Sequence, residues 1–283
     1  MSIPRIPPRV TQAIVVTMLW ALAGATLLTL VFIMGFVLVP GLPRVSLEFL
    51  TQEPSRMGRA GGIGPVILGT AIVTGLAVLV AAPVGVITAV YLTQYTREGR
   101  LTHAIRFGAD CLAGIPSIIY GLFGFVFFAI WMKLGISILS GSLTLALMVL
   151  PTIIRTSEEA IRAVPDSYRD ASYALGSTRW QMVTRVVLRC ALPGIGTGVV
   201  LSIGRCLSET AAVMLTSGMA LSVPRGLGDS VRTMALHFFQ LAREGDDQAR
   251  ANAYATAAVL LLAILVINVL AYWTMRRFVA KVR

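Results

Sequence analysis

Two opposite charges, Arg205 and Glu209, stand inside an apolar run, 194–219, that is long enough to cross a membrane. If the run is one helix, Arg205 lies about 17 Å along it, near the middle of a hydrocarbon core of about 30 Å. A charge at that depth costs about 2.5–3.5 kcal/mol on insertion scales, so it marks a candidate functional site. A guanidinium fits the oxygens of an oxyanion. We predict an anion path in which Arg205 contacts the anion, Glu209 tunes Arg205, and Thr210 lies beside them.

The four-residue spacing of Arg205 and Glu209 also allows a purely structural interpretation. On a continuous helix both side chains share one face, where they could form an ion pair that only neutralises itself. The order Arg then Glu is the weaker orientation for such a pair, which favours the anion interpretation. Both interpretations stay open from the sequence alone.

A second apolar run, 111–132, contains Pro116 and Ser117. Proline interrupts a membrane helix, and a half-helix that begins at Ser117 would direct backbone N–H groups and a positive dipole end at an anion. The more common explanation for the small residues of this run is close helix packing, and it applies to Gly114, Gly121 and Gly124.

Residues 155–193 form a polar, arginine-rich stretch, called the polar segment below. The Val-Pro-Asp sequence at 164–166 predicts a helix start, and Gly176 predicts its end. A second helix is expected from Thr178, because Thr178 and Gln181 have the spacing of a capping box. The alternative is a pair of amphipathic helices lying on the bilayer surface.

The second helix of the polar segment carries two large apolar side chains. We expect Trp180 and Met182 to face a partner protein from this helix. A polar segment built in this way is typical of a docking surface, which favours transport over catalysis.

Composition identifies the class of protein that contains these features. The 283 residues are 56% hydrophobic and only 13% charged, with a mean hydropathy of +0.80, values too apolar for a soluble domain of this length. The sequence predicts an all-α polytopic membrane protein. Its six expected transmembrane helices cover the runs 14–39, 63–92, 111–132, 136–154, 194–219 and 253–275.

The basic residues predict the orientation of the chain. Outside the spans, 15 Lys and Arg residues, including Arg5 and Arg283, fall on the side of the N-terminus and 8 on the other side. This asymmetry predicts that both termini are cytoplasmic. The net charge of +11 then reflects topology and contact with anionic lipid, and nucleic acid binding is disfavoured because the charges form no continuous face.

Scarce reactive residues exclude several chemistries. The three cysteines and two histidines have no metal-type spacing, and His103 and His237 are expected to be ordinary loop residues. Lys133 and Lys281 are the only lysines, and neither belongs to a phosphate-binding loop. The sequence therefore predicts no metal, no ATP site and no enzymatic activity on this chain, and energy has to come from another subunit.

The polar segment contains a pattern known from one family. The run D170-A-S-x3-G176-x9-V186-x-L188 resembles the EAA loop of ABC importer permeases, although Asp replaces Glu, Ser replaces the second Ala, and Arg189 stands where Pro is usual. In that family the loop docks on the ATP-hydrolysing subunit. The resemblance implies a coupling role for Asp170, Ala171, Ser172, Leu175, Gly176 and Trp180.

Three other runs narrow the resemblance: 61–65 (GGIGP), 112–124 (LAGIPSIIYGLFG) and 205–211 (RCLSETA). Together they resemble the phosphate-specific permeases of the PstA family, over about residues 49–276. Ser208 and Ala212 depart from the usual PstA pattern, and Ala212 is closer to the pattern of the related PstC family.

The resemblance implies a type I ABC importer permease fold (MetI-like) in the bacterial inner membrane. Residues 1–62 would hold the N-terminal tail, first helix and external loop, 63–276 the permease core, and 277–283 a cytoplasmic tail. The implied function is the import of inorganic phosphate. The implied partners are two ATPase copies that use ATP and Mg, a PstC permease and an extracytoplasmic phosphate-binding protein.

Other functions remain open from the sequence. The substrate could be another oxyanion such as sulfate, molybdate or phosphonate, or the chain could be the PstC-type subunit. A secondary anion carrier or channel would explain the buried charges but would leave the polar segment without a role. An intramembrane enzyme would need a cluster of reactive groups that the spans do not supply.

Overall fold

The computed structural model describes residues 8–97 and 99–282. Arg5 and Arg283, two of the basic residues counted for the orientation, lie outside the described residues. Helices form almost all of the fold, together with one two-stranded antiparallel pair in which Pro54 faces Gly61. The elements are α1 Pro8–Gly41, α2 Leu47–Thr51, β1 Pro54–Ser55, β2 Ala60–Gly61, α3 Gly64–Val90, α4 Arg100–Ala113, α5 Ser117–Gly124, α6 Ile138–Arg162, α7 Asp166–Ala174, α8 Arg179–Met182, α9 Leu188–Ser208, α10 Ala211–Thr216, α11 Met234–Arg243 and α12 Asp247–Val282.

Short turns extend several of these helices. A π-helical turn, Tyr91–Tyr95, continues α3, and another, Phe125–Trp131, continues α5. A third, Val183–Val187, joins α8 to α9 without a break. Turns of 3-10 helix cover Leu42–Arg44 and Arg56–Gly58.

In the described part of the chain, five helices are long and apolar enough to span a membrane, and a bent helix pair makes a sixth if it counts as one span. This agrees with the six predicted runs, but the third run is not one straight helix. Its parts, Thr102–Ala113 and Ser117–Trp131, meet at 102°. Pro116 causes the break, because proline lacks the N–H for a helical bond and disfavours helical backbone before it.

The fourth and fifth predicted runs also have different bounds. Helix α6 continues through Pro151 to Arg162, so the first eight residues of the polar segment are helical. Helix α9 ends at Ser208, where the run 194–219 was expected to continue as one helix. The part of the polar segment that lies outside the long helices is therefore shorter than predicted.

Helix α6 forms the centre of the bundle and packs between α3 and α9. Small residues on α3 allow the close approach, since a Cβ on Gly85 would stand 2.7 Å from Cγ2 of Ile153. Helix α1 instead contacts mainly α12 and leaves most of its apolar side chains exposed, as expected for a helix that faces lipid. The largest buried cluster of α3 and α6 contains Val73, Ala77, Ala81, Leu145, Met148, Val149 and Ile153.

The glycines near the bend have two different roles. A Cβ on Gly121 would stand 2.8 Å from Cα of Ala212, and one on Gly124 would overlap Thr144. These two glycines therefore allow close helix packing, which confirms that interpretation for them. A Cβ on Gly114 would contact only backbone oxygens at the end of its own helix, so this glycine is part of the bend and not of a helix contact.

Helix α11 lies outside the six predicted runs. Leu236, His237 and Leu241 are fully buried, so the expectation that His237 is an ordinary loop residue is wrong. Gly58, at φ +95°, lies against the imidazole, where a Cβ would stand 2.5 Å from Cε1 of His237. The amphipathic pattern of α11, with apolar residues on the buried side, is the signal that the sequence offered for this packing.

Burial gives His237 an unusual titration. Loss of hydration lowers the pKa of its imidazole to about 4, and the charge of Arg232 acts in the same direction. Helix α11 is not among the candidate spans of the described residues. The folded protein thus holds a neutral imidazole at physiological pH.

The protein should lose stability through His237 as the pH falls below about 6.5. The unfolded chain takes up the proton first, because its histidine has the higher pKa, and the loss grows to about 3 kcal/mol near pH 4. We expect the thermal midpoint of the wild type to fall relative to that of His237→Leu between pH 7 and pH 5. The exposed His103 provides the control: His103→Leu should keep the wild-type pH dependence. Parallel curves for wild type and His237→Leu would contradict the assignment.

Candidate functional site

Two interrupted spans meet inside the bundle. Helix α5 begins at Ser117, directly after the bend, and helix α9 ends at Ser208 before α10 starts at Ala211. The close approach of Gly121 to Ala212 brings α5 and α10 together, so the two interruptions are neighbours. Interrupted helices that meet in this way are typical of substrate sites in membrane proteins, because their ends supply free backbone groups.

The bend before α5 is held by one side chain. Pro116 is the N-cap of α5, with ψ at 140°, and the hydroxyl of Tyr120 donates to the carbonyl of Leu112 at 2.7 Å. The Leu112 carbonyl also accepts the Ile115 N–H at 3.1 Å, so the Tyr120 bond is a second one that ties α5 to the end of α4 across the bend. The predicted half-helix that begins at Ser117 is confirmed, and the Ser117 side chain is half-buried. Its role toward an anion stays a prediction.

Arg205 lies in the last turn of α9 with its side chain exposed. Among residues 8–97 and 99–282 its guanidinium has no hydrogen-bond or ion-pair partner. Tyr120 of α5 lies within electrostatic range of this guanidinium. An arginine without a counter-ion at this point is suited to an anionic ligand.

Glu209 does not share a helical face with Arg205, contrary to the sequence prediction. The chain is extended at Glu209, with ψ at 132°, and no ion pair joins the two residues in the described chain. The carboxylate instead accepts the backbone N–H groups of Thr210 at 3.2 Å and Ala212 at 3.3 Å. These donors at the start of α10 have no helical acceptor, which explains why the carboxylate turns toward them. Thr210 is the half-buried N-cap of α10.

The polar segment folds as two short helices around a glycine, as predicted. Gly176 adopts φ +78° after α7. The capping box of α8 is confirmed: Thr178 Oγ1 accepts from the Gln181 N–H at 3.3 Å, and Gln181 Oε1 accepts from the Thr178 N–H at 3.0 Å. Hydrogen bonds between residues close in sequence therefore determine the structure of this part of the chain.

Most of the residues predicted to couple to a partner are exposed. Leu175 is 89% and Trp180 66% exposed, and the exposed set also includes Asp170, Ala171 and Gly176. A hollow of about 490 Å³ lies between α7 and α8. Large exposed apolar side chains beside a hollow are typical of a protein interface.

Two residues of the polar segment differ from the prediction. Ser172 is buried, and its hydroxyl lies 2.7 Å from the hydroxyl of Ser177, so it closes the turn after α7. Met182 was expected to face a partner but is only 2% exposed and packs with Ile161 and Val164. The helical spacing of Met182 from Trp180 explains this, because residues two apart point to different sides of a helix.

A continuous helix connects the polar segment to Arg205. Helix α8, the π-helical turn and α9 form one candidate span, Arg179–Ser208. Trp180 and Arg205 are thus about 38 Å apart along one helix. At its first residue, the guanidinium of Arg179 lies 5.1 Å above the Tyr95 ring and donates to the carbonyl of Gln94. Movement of α8 would therefore move α9 and the end of α3.

Helix α4 is an element that the sequence prediction missed. Ion pairs attach it to α6: Arg106 Nε lies 2.9 Å from Glu158 Oε1, and Arg155 pairs with Asp110. The available signal was the amphipathic pattern of 100–113, followed by the Gly-Ile-Pro break. This helix ties the bend before α5 to the end of α6 that carries the polar segment.

The chain resembles known proteins over most of its length. The profile of the family described as "Binding-protein-dependent transport system inner membrane component" matches residues 81–283. The chain is 30% identical to the probable ABC transporter permease protein YqgI of Bacillus subtilis, over 94% of this chain and 95% of the relative. It is 35% identical to the phosphate transport system permease protein PstA 1 of Mycobacterium tuberculosis, over 79% and 73%.

A solved structure has the same fold. It is that of a bacterial alginate ABC transporter in complex with an alginate pentasaccharide-bound periplasmic protein. The TM-score is 0.63 at 17% identity, over 91% of this chain and 94% of the other. At this identity the likeness establishes the fold alone, and it confirms the all-α permease fold.

Proposed function

The chain belongs to the family of binding-protein-dependent transport system inner membrane components, and we propose that it is the permease subunit of an ATP-driven importer of inorganic phosphate. It is a multi-pass protein of the inner membrane. The observation that carries the proposal is the unpaired Arg205 beside two interrupted spans. The phosphate transport permease relative, at 35% identity, supports phosphate as the anion.

In this proposal Arg205 contacts the anion during translocation. Phosphate would be held by the planar guanidinium and by donors at the start of α5, where Ser117 adds a hydroxyl. Thr210 lies next to the same path. Glu209 supports the site by holding the start of α10, because its carboxylate already has two backbone donors. Other oxyanions, such as sulfate, molybdate or phosphonate, remain the alternative substrates.

The energy would come from a partner ATPase. Two ATPase copies would bind and hydrolyse ATP with Mg. Helices α7 and α8, together with the exposed side chains of Leu175 and Trp180, would dock on one of them. Both termini would then be cytoplasmic. A PstC-type permease would complete the path, and an extracytoplasmic phosphate-binding protein would deliver the anion. The alginate transporter of the same fold was solved together with its periplasmic protein, which supports this assembly.

Arg205→Ala tests the anion contact. Loss of a charge-assisted contact worth about 1.5–3 kcal/mol should reduce phosphate uptake roughly 10- to 100-fold. Uptake of radiolabelled phosphate by vesicles containing the complete complex is the measurement. Arg189→Ala, which removes an exposed arginine from the first turn of the same helix, is the control and should transport normally. Normal uptake by Arg205→Ala, at equal amounts in the membrane, would refute the contact.

Competition identifies the substrate in the same vesicles. Unlabelled phosphate should displace the label, whereas sulfate and molybdate at equal concentration should not. If sulfate or molybdate competes as strongly as phosphate, or more strongly, that oxyanion becomes the proposed substrate instead of phosphate.

Trp180→Ala and Leu175→Ala test the docking surface. Both side chains are mostly exposed, so the thermal midpoint should not change, whereas retention of the ATPase during purification should fall at least about tenfold. Phe107→Ala on α4 is the matched control, since this aromatic residue is 69% exposed but lies outside the polar segment. If both variants retain the ATPase as the wild type does, α7 and α8 are not the docking surface.

A further inference from the structure

An apolar groove of about 430 Å³ lies between α9 and α12. Among its lining side chains only Thr274 carries a hydroxyl, and that hydroxyl donates to the Leu270 carbonyl of its own helix. Gly196 opens the groove, since the three atoms nearest to a Cβ at this position would all belong to Met275, at 3.5–3.7 Å. The walls therefore offer apolar contacts and no free polar side chain. They are formed mainly by Leu192, Pro193, Gly196, Val200, Ala271 and Met275.

The groove lies at the depth of a single lipid leaflet. Helices α9 and α12 both belong to candidate membrane spans. The stretch of α9 that lines the groove, 192–200, covers about 12 Å along the helix, close to the roughly 15 Å of half a hydrocarbon core. The apolar runs of the sequence begin at 194 on α9 and end at 275 on α12, so one end of the groove lies at the boundary of the core. An occupant of matching length is the acyl chain of a phospholipid.

The groove faces away from the proposed anion path. Arg205 follows Gly196 by nine residues, which is about two and a half helical turns, so the two residues lie on opposite sides of α9. In the described chain only residues of α9 and α12 line the groove. The second permease of the proposed complex would cover the Arg205 side of α9, and the groove would then remain open to lipid.

One end of the groove carries a positive charge. Arg189 precedes Leu192 by three residues and Pro193 by four, so its side chain starts on the groove side of α9, one turn before the lining residues. This side chain is exposed, and no described carboxylate lies within ion-pair distance of it. Arg189 stands about 7.5 Å before the apolar run that begins at 194, which is the level of lipid headgroups.

The adjoining end of α12 carries the same charge, together with aromatic side chains. Arg276 and Arg277 directly follow the lining residue Met275. Their guanidinium groups lie over the rings of Tyr272, at 5.9 Å, and Trp273, at 3.5 Å. Aromatic and arginine side chains together are typical of the headgroup level of a membrane. Neither α9 nor the part of α12 after its first residue contains an acidic residue, so nothing on these two helices offsets the positive charge.

We propose that this groove binds an anionic phospholipid, whose acyl chain lies between α9 and α12 and whose phosphate meets Arg189. The apolar walls accept the acyl chain, and the guanidinium of Arg189 donates paired hydrogen bonds to the phosphate oxygens. Arg276 and Arg277 add a positive potential that favours an anionic lipid over a zwitterionic one. The bound lipid would lie against the continuous helix that connects the polar segment to Arg205.

The proposal concerns lipid binding and does not depend on which anion the protein transports. A membrane supplies lipid in large excess, so a site that is weakened about tenfold stays occupied there. Phosphate uptake by Arg189→Ala in vesicles is therefore still expected to be normal. The lipid site has to be tested in detergent, where the lipid concentration is controlled.

Photolabelling of the full-length chain, purified with its partner subunits in maltoside detergent, tests the proposal. The probe is phosphatidylglycerol with a diazirine on one acyl chain, and the labelled peptides are identified by mass spectrometry. We expect the label in the peptides that contain 192–200 and 271–275. Unlabelled phosphatidylglycerol should displace the probe at least about tenfold better than phosphatidylethanolamine does, because only phosphatidylglycerol carries a net negative charge.

Two variants change the charge and the groove separately. Arg189→Gln removes the contact to the phosphate and should weaken binding of the probe about tenfold. Gly196→Leu places a side chain in the groove and should reduce labelling of the same peptides by a similar factor. Arg250→Gln is the charge control, because it removes an exposed arginine from the opposite end of α12. Gly35→Leu on α1 is the size control, because a Cβ there meets no atom within 4 Å. Both controls should be labelled as the wild type is.

The proposal is overturned if the label spreads evenly over the lipid-facing helices, if both lipids displace the probe equally, or if either variant, once shown to be folded, is labelled as the wild type is. Labelling of a partner subunit in place of the two peptides would also overturn it, because a protein helix would then cover the groove. Arg189→Gln changes an exposed side chain, so the test remains decisive if Gly196→Leu does not fold. A failure of the phosphate uptake proposed above would leave this result unaffected, because labelling requires no transport.

Discussion

Backbone hydrogen bonding in a hydrocarbon layer is the constraint on which this structure depends. A membrane span can be interrupted only where other groups satisfy the freed N–H and C=O groups. Side chains bridge both interruptions: the hydroxyl of Tyr120 donates to the Leu112 carbonyl, which also accepts the Ile115 N–H, and the carboxylate of Glu209 accepts two N–H groups. Because the charge of Glu209 is used in this way, Arg205 keeps its guanidinium unpaired in the described structure. The unpaired cation beside two helix breaks is the basis of the proposed anion path.

The second element of the account is a continuous helix. Local capping by Thr178 and Gln181 starts α8, and the chain continues without a break to Ser208. A force applied at the exposed Trp180 would therefore reach Arg205 through a rigid connection. Ion pairs between α4 and α6 extend the same connection to the bend before α5. The proposed docking surface and the proposed anion site are thus connected through helices, although they lie at different depths of the molecule.

Much of the structure could be predicted from the sequence, namely those features that residues close in sequence determine. The apolar runs, the capping box and the left-handed Gly176 each depend on residues close in sequence. Tertiary contacts decided the rest. Pro116 ends a helix, whereas Pro151 is tolerated inside α6, which is buried between neighbouring helices. The spacing of Arg205 and Glu209 implied one face only on the assumption of a continuous helix, and His237 became buried because the Gly58 turn packs over it.

The central claim is that this chain has no energy source of its own and moves its anion only when a partner ATPase drives α7 and α8. Sealed vesicles that contain the permease subunits without the ATPase, and without any nucleotide, test it most directly. Labelled phosphate should not accumulate against a gradient in these vesicles, and accumulation should appear when the ATPase and ATP are added on the side of the polar segment. Accumulation in the vesicles without nucleotide would contradict the account.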